Sequence, residues 1–214
     1  MAIQNKFNSG NLINFLLIVF QIGFLLMGFG LGLFILLAIV AFFTGSPIFP
    51  AGFTVMFSLS QDGIVNIPNN MIETTFNIEN AMGIIGVDKL PKGFLLAYSG
   101  ISVLANVCIL YSLRWTIKIL EAAKQGEFLI IENAIRLRWI ALLGIGCIFF
   151  DRLATIFASS YLYDKLEYPG LEFTNINFFS FMTLQSVFSF LFLWVIAEAF
   201  RIGSQMKQEN DLTI

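Results

Sequence analysis

Residues 15–43 carry a single strongly polar side chain, Gln21. A helix of that length extends for about 43 Å, more than the roughly 30 Å of hydrocarbon in a bilayer, so it spans with tilt or with a protruding end. A secretory signal peptide is the competing reading. The run is too long for one, and Gly45-Ser46-Pro47-Ile48 lacks a small-x-small cleavage pattern, so it reads as an uncleaved anchor. Three further apolar runs, 94–113, 139–161 and 178–200, each have about the 20 residues that a crossing needs. Four membrane-spanning helices are therefore expected in one domain, 1–214.

Composition agrees. With 57% hydrophobic residues, 12% charged residues and a mean hydropathy of +0.82, the chain is too apolar for an ordinary soluble domain. Its net charge of −2 and lack of basic runs exclude a phosphate-neutralising surface, so no direct nucleic-acid binding is expected. There is no histidine, which removes Ser-His-Asp and Cys-His catalysis, His-ligated zinc and haem, and imidazole pH sensing. Cys108 and Cys147 both lie in apolar runs, where they read as small packing residues. No phosphate loop, dinucleotide fingerprint, paired-carboxylate motif or metal-ligand spacing occurs. The expectation is a protein that is not an enzyme and has no cofactor or metal.

Orientation follows from the basic residues between the runs. Lys6, Arg114, Lys118, Lys124, Arg136, Arg138, Arg201 and Lys207 fall on one side, against Lys89, Lys92 and Lys165 on the other. The richer side is cytoplasmic by the positive-inside rule, which puts both termini inside, the loop 114–138 and tail 201–214 in the cytoplasm, and 46–92 with 164–177 outside.

The outer segment reads as β-structure. Phe53, Val55, Phe57 and Leu59 alternate with Thr54, Met56, Ser58 and Ser60, and Gln61-Asp62-Gly63 offers a hairpin turn to a partner strand at Ile64 to Ile67. After Pro68-Asn69-Asn70, Ile72, Thr74, Phe76 and Ile78 alternate with Glu73, Thr75, Asn77 and Glu79 as a further strand, and Leu171 to Ile176 would add another. The fold class is thus an all-α membrane protein with four transmembrane helices and a small extracytoplasmic β-structured insertion between helices 1 and 2. On the inner side the second helix meets no breaker before Gly126, so it projects into water through Lys118, Glu121 and Lys124. Phe128 would tuck back against the bundle, and the fourth helix would project similarly from Glu198 to about Gln208.

Asp151 and Arg152 lie within the third apolar run, where charge is expensive. Adjacent helical residues point about 100° apart, so the two cannot simply shield each other. Ser99, Ser102, Gln185, Ser186 and Ser189 are the polar residues expected near their depth. Asp151, Arg152 and Gln185 thus form a candidate intramembrane site, either a polar fastening that sets helix register or a place for an ion, proton or ligand. Gly28 and Gly32 form a small-xxx-small spacing suited to close helix approach, within the bundle or in self-association.

Gly126-Glu127-Phe128, then Asn133, Arg136, Leu137 and Arg138, and then the terminal Lys207-Gln208-Glu209-Asn210-Asp211-Leu212-Thr213-Ile214 resemble the bacterial membrane family known as domain of unknown function 2975. The resemblance covers most of the chain and implies a bacterial inner-membrane protein with no established reaction. Genes of this family often neighbour a small helix-turn-helix regulator of the Cro and phage-repressor type. It therefore implies a regulatory or scaffolding protein that holds such a cytoplasmic regulator, with Arg136, Arg138, Glu209, Asp211 and Ile214 as candidate contacts. The alternative is a small transporter, channel or accessory subunit that uses Asp151 and Arg152. The outer β segment is longer than the family pattern leads one to expect.

Overall fold

The computed structural model describes residues 9–46, 52–67, 72–79, 81–176 and 181–212. Four helices carry the chain: α1 (Ser9–Thr44), α2 (Lys92–Lys124), α3 (Ile131–Leu162) and α4 (Phe181–Leu212). In a solvent without hydrogen-bond partners a helix satisfies every backbone group within itself, and the prolines at 47, 50, 68, 91 and 169 all lie outside the helices. Each helix contains a stretch long and apolar enough to cross a membrane. The chain is by length and composition a multi-pass membrane protein.

At 32 to 36 residues the helices are roughly 50 Å long, about 20 Å more than the hydrocarbon needs. Their ends run on into polar residues, as expected for α2 and α4. α1 is apolar on every side, with Leu25 and Leu26 about two-thirds exposed and Phe29 74% exposed on the isolated chain, the pattern of a helix sheathed in lipid.

Four strands lie between α1 and α2: β1 (Gly52–Leu59), β2 (Gly63–Ile67), β3 (Ile72–Phe76) and β4 (Ala81–Gly86). A fifth, β5 (Leu171–Thr174), lies between α3 and α4. The expected strand at 53–60 is present, but its partner is not. β1 is the middle strand of a three-stranded antiparallel sheet, β4-β1-β5, whereas β2 pairs with β3 in a separate two-stranded sheet. The Gln61-Asp62-Gly63 hairpin is therefore corrected. Both edges of β1 are occupied, by β4 through Phe53↔Ile85 and by β5 through Phe57↔Phe173, so β2 has no edge to join. β4 was not anticipated because Ala-Met-Gly-Ile-Ile-Gly is rich in glycine and weak as a strand signal. The Pro68-Asn69-Asn70 break, the start of the fourth apolar run at Phe178, and Ile214 lie outside the described residues.

The chain divides into two compact units. One takes in α1 as far as Ile35, Val103–Phe150 and α4; the other takes in α1 from Leu36, the five strands, α2 as far as Ser102 and α3 from Asp151. In the second unit the alternation of β1 buries Phe53 and Val55 at 1% and 2% exposure. The Phe53 ring meets Phe94 and Tyr98 of α2 edge-on, with centroids 5.6 and 5.2 Å away, and Phe94 stacks on Phe157 of α3 at 5.3 Å. Ala41, Leu90, Leu95, Ala158 and Leu162 complete this core. Isolated short sheets are marginal in water, so Phe53 is what makes the sheet and these helix segments fold together.

Replacing Phe53 with Ala is expected to cost about 3–5 kcal/mol of this unit's stability, and Phe53→Leu clearly less. Thermal unfolding of the purified protein in detergent, with protease resistance of the 52–90 segment as a second readout, measures the difference.

Candidate functional site

In the other unit, polar side chains gather where α2, α3 and α4 carry their basic ends. α2 stops at Gly126, which has φ +81°, a left-handed conformation that favours glycine. The Gly126 amide donates to Ala123 O at 3.1 Å and the Glu127 amide to Ala122 O at 2.9 Å, the paired bonds of a Schellman cap. The chain then turns into α3, whose start is held by the fully buried Asn133. Its Nδ2 donates to Phe128 O at 2.9 Å and to Glu127 O at 3.3 Å, while its Oδ1 accepts from Arg136 Nη1 at 2.7 Å. The same Arg136 nitrogen donates to Lys118 O at 3.2 Å, so one amide and one guanidinium tie the loop, α3 and α2 together.

α4 joins through two further contacts. The Phe128 ring packs edge-on against Phe200 with centroids 5.0 Å apart, as expected from the sequence. Arg138 forms an ion pair with Glu198, which also accepts from Arg201 Nε at 2.7 Å, and Arg201 Nη1 donates to Gln205 at 3.1 Å. Two guanidiniums thus share one carboxylate. The Arg138 Nε is buried and has no hydrogen-bond partner among the described residues. Further along the same two helices Gly144 lies beneath the Phe190 ring, where a methyl group would overlap it. That approach, and not one at Gly28 or Gly32, is the close one: Gly32 faces open space, and a Cβ on Gly28 would meet Leu110 only at 4.0 Å.

Around the bonded cluster several apolar side chains stay open. Phe128, Leu129 and Ile135 are 41–47% exposed, as is Met206 at 59% on α4. A Cβ on Gly203 would lie 3.9 Å from Leu129, so the loop rests on α4 one turn before Met206. Gln205, Lys207, Gln208 and Glu209 are also exposed. The surface is therefore mixed apolar and charged, on a backbone bonded to Asn133 and Arg136.

The candidate contacts sort accordingly. Arg136 and Arg138 are taken up by bonds within the chain. Glu209 is exposed on α4, Asp211 belongs to the same helix, and Ile214 lies outside the described residues. Of the intramembrane candidates, Asp151 and Arg152 fall in the unit that holds the sheet, and Gln185 falls in the other. Asp151 is exposed and Arg152 is half-buried with an interaction of its own. The α2 residue within electrostatic reach of Asp151 is Tyr98, which bonds to the Ser102 side chain. Tyr98 escaped notice because it reads as an ordinary aromatic in an apolar run. Gln185 and Ser189 are exposed on α4, with Ser189 Oγ returning to the Gln185 carbonyl at 3.0 Å. Among the described residues no group of three or more Cys, Asp or Glu side chains is arranged to hold a metal.

Residues 87–214 match the family described as Protein of unknown function (DUF2975). No curated protein and no solved structure matches the chain.

Asn133→Ala is expected to leave the Arg136 guanidinium and two loop carbonyls short of partners, at a cost of about 1–3 kcal/mol. Hydrogen exchange should show faster amide exchange at 126–130. Asn133→Asp should accelerate the same amides while keeping the acceptor for Arg136, because a carboxylate cannot donate to the Glu127 and Phe128 carbonyls.

Proposed function

The chain belongs to the DUF2975 family, and from that premise we propose that it is a regulatory or scaffolding membrane protein that docks a cytoplasmic protein on the surface formed by the α2–α3 loop and the end of α4. In this reading both termini are cytoplasmic, and the partner is a small helix-turn-helix regulator of the kind that the family resemblance implies. The observation that carries it is the pairing of a rigid base with an apolar top. Asn133, Arg136 and the Arg138–Glu198–Arg201 cluster hold the backbone, while Leu129, Ile135 and Met206 remain open beside Gln205 and Lys207.

Exposed apolar side chains rimmed by polar ones are the usual mark of a protein contact, and a preorganised surface loses little entropy on binding. The family-signature residues Gly126, Asn133, Arg136 and Arg138 build the base and do not themselves reach outward. Contact then falls to Leu129, Met206 and the α4 end with Glu209 and Asp211. The transporter reading rests on Asp151 and Arg152 and gains nothing further from the exposed Asp151 carboxylate.

The experiment is co-purification of the full-length protein with the small regulator encoded beside its gene. Wild type is expected to retain the regulator. Leu129→Glu with Met206→Glu is expected to lose it by tenfold or more, on the order of a single interface anchor, and removal of residues 209–214 to weaken it. A wild type that fails to retain the regulator, or a double variant that retains it fully, overturns the reading.

A further inference from the structure

The basic residues around the helix ends are mostly occupied. Lys118 Nζ lies over the Trp115 ring at 4.7 Å, Arg136 is held by Asn133, and Arg138 and Arg201 share Glu198. Arg114 of α2 differs. It is exposed and makes no hydrogen bond or ion pair among the described residues. It is also the first residue after the apolar run 94–113, so it sits where hydrocarbon gives way to headgroups.

Arg114 lines a groove of about 210 Å³ between α1 and α2, together with Phe24, Leu110 and Tyr111. On α2, Leu110 and Tyr111 lie four and three residues before Arg114, so all three share one helix face. Phe24 supplies the α1 wall. A second recess of about 180 Å³, lined by α1 residues and Asn106, lies along the same two helices. The groove lining thus combines two apolar side chains, Phe24 and Leu110, with a guanidinium and a phenol. An acyl chain meets the apolar pair, and a phosphate meets Arg114 and Tyr111 by charge-assisted hydrogen bonds.

We propose that this groove binds an anionic phospholipid, with its phosphate on Arg114 and Tyr111 and an acyl chain against Phe24 and Leu110. A neutral zwitterionic lipid fills the same walls but returns less charge to the guanidinium. The groove therefore selects by headgroup. One such basic contact near a membrane surface corresponds to about fivefold in relative occupancy.

Native mass spectrometry of the full-length protein, equilibrated in mixed micelles with equal phosphatidylglycerol and phosphatidylethanolamine, reads the retained lipid directly. About fivefold enrichment of phosphatidylglycerol is expected for wild type and for Lys124→Gln, which removes one charge away from the groove. Arg114→Gln is expected to abolish the enrichment. Leu110→Trp, which fills the groove and keeps the guanidinium, is expected to abolish it too. Added inorganic phosphate should leave the lipid in place. Equal retention of both lipids by wild type, enrichment that survives either groove variant, equal loss in Lys124→Gln, or displacement by phosphate would each overturn the proposal.

Discussion

Hydrocarbon offers a polar group nothing to bond to, and the whole structure follows from that. Backbone amides and carbonyls must be satisfied inside helices, so the apolar runs become α1 to α4, and many of the charged side chains gather at the helix ends. There they satisfy one another. Asn133 is the clearest case: fully buried, it closes two loop carbonyls and one guanidinium at once. The shared Glu198 does the same for Arg138 and Arg201. Surface ion pairs alone add little, and it is the buried Asn133 amide with its Arg136 partner that fixes the loop most firmly.

At the sheet the same pressure acts in reverse. β1 leaves the helices yet sends Phe53 back against Phe94 and Tyr98, and Phe94 in turn stacks on Phe157. Strand alternation and helix-end aromatics cooperate, and neither would hold β1 in place alone.

The helices could be read from the sequence because apolar runs and absent prolines are local facts. Gly126 likewise announced the end of α2, and Phe128 its return to the bundle. What escaped was pairing between distant segments. Arg138 and Glu198 lie 60 residues apart, and the acceptor at Lys118 is a backbone carbonyl that no side-chain pattern marks. The β1–β2 hairpin failed for the same reason: a local turn signal was overruled by β4 and β5, later segments of the chain that occupy both edges of β1. Gly144 beneath Phe190 left no signal beyond a glycine in a helix, whereas the more conspicuous Gly32 faces open space. In the family signature, Gly126, Asn133, Arg136 and Arg138 are kept busy inside the structure.

The orientation we propose puts the α2–α3 loop and the end of α4 in the cytoplasm and the strands between α1 and α2 outside. Single-cysteine variants without Cys108 and Cys147 test it with a membrane-impermeant maleimide on intact cells. Ile84→Cys, on the exposed face of β4, should react at once, and Gln205→Cys, beside the Arg201 contact, only after permeabilisation. Labelling of both positions in intact cells, or of Gln205→Cys alone, would contradict it.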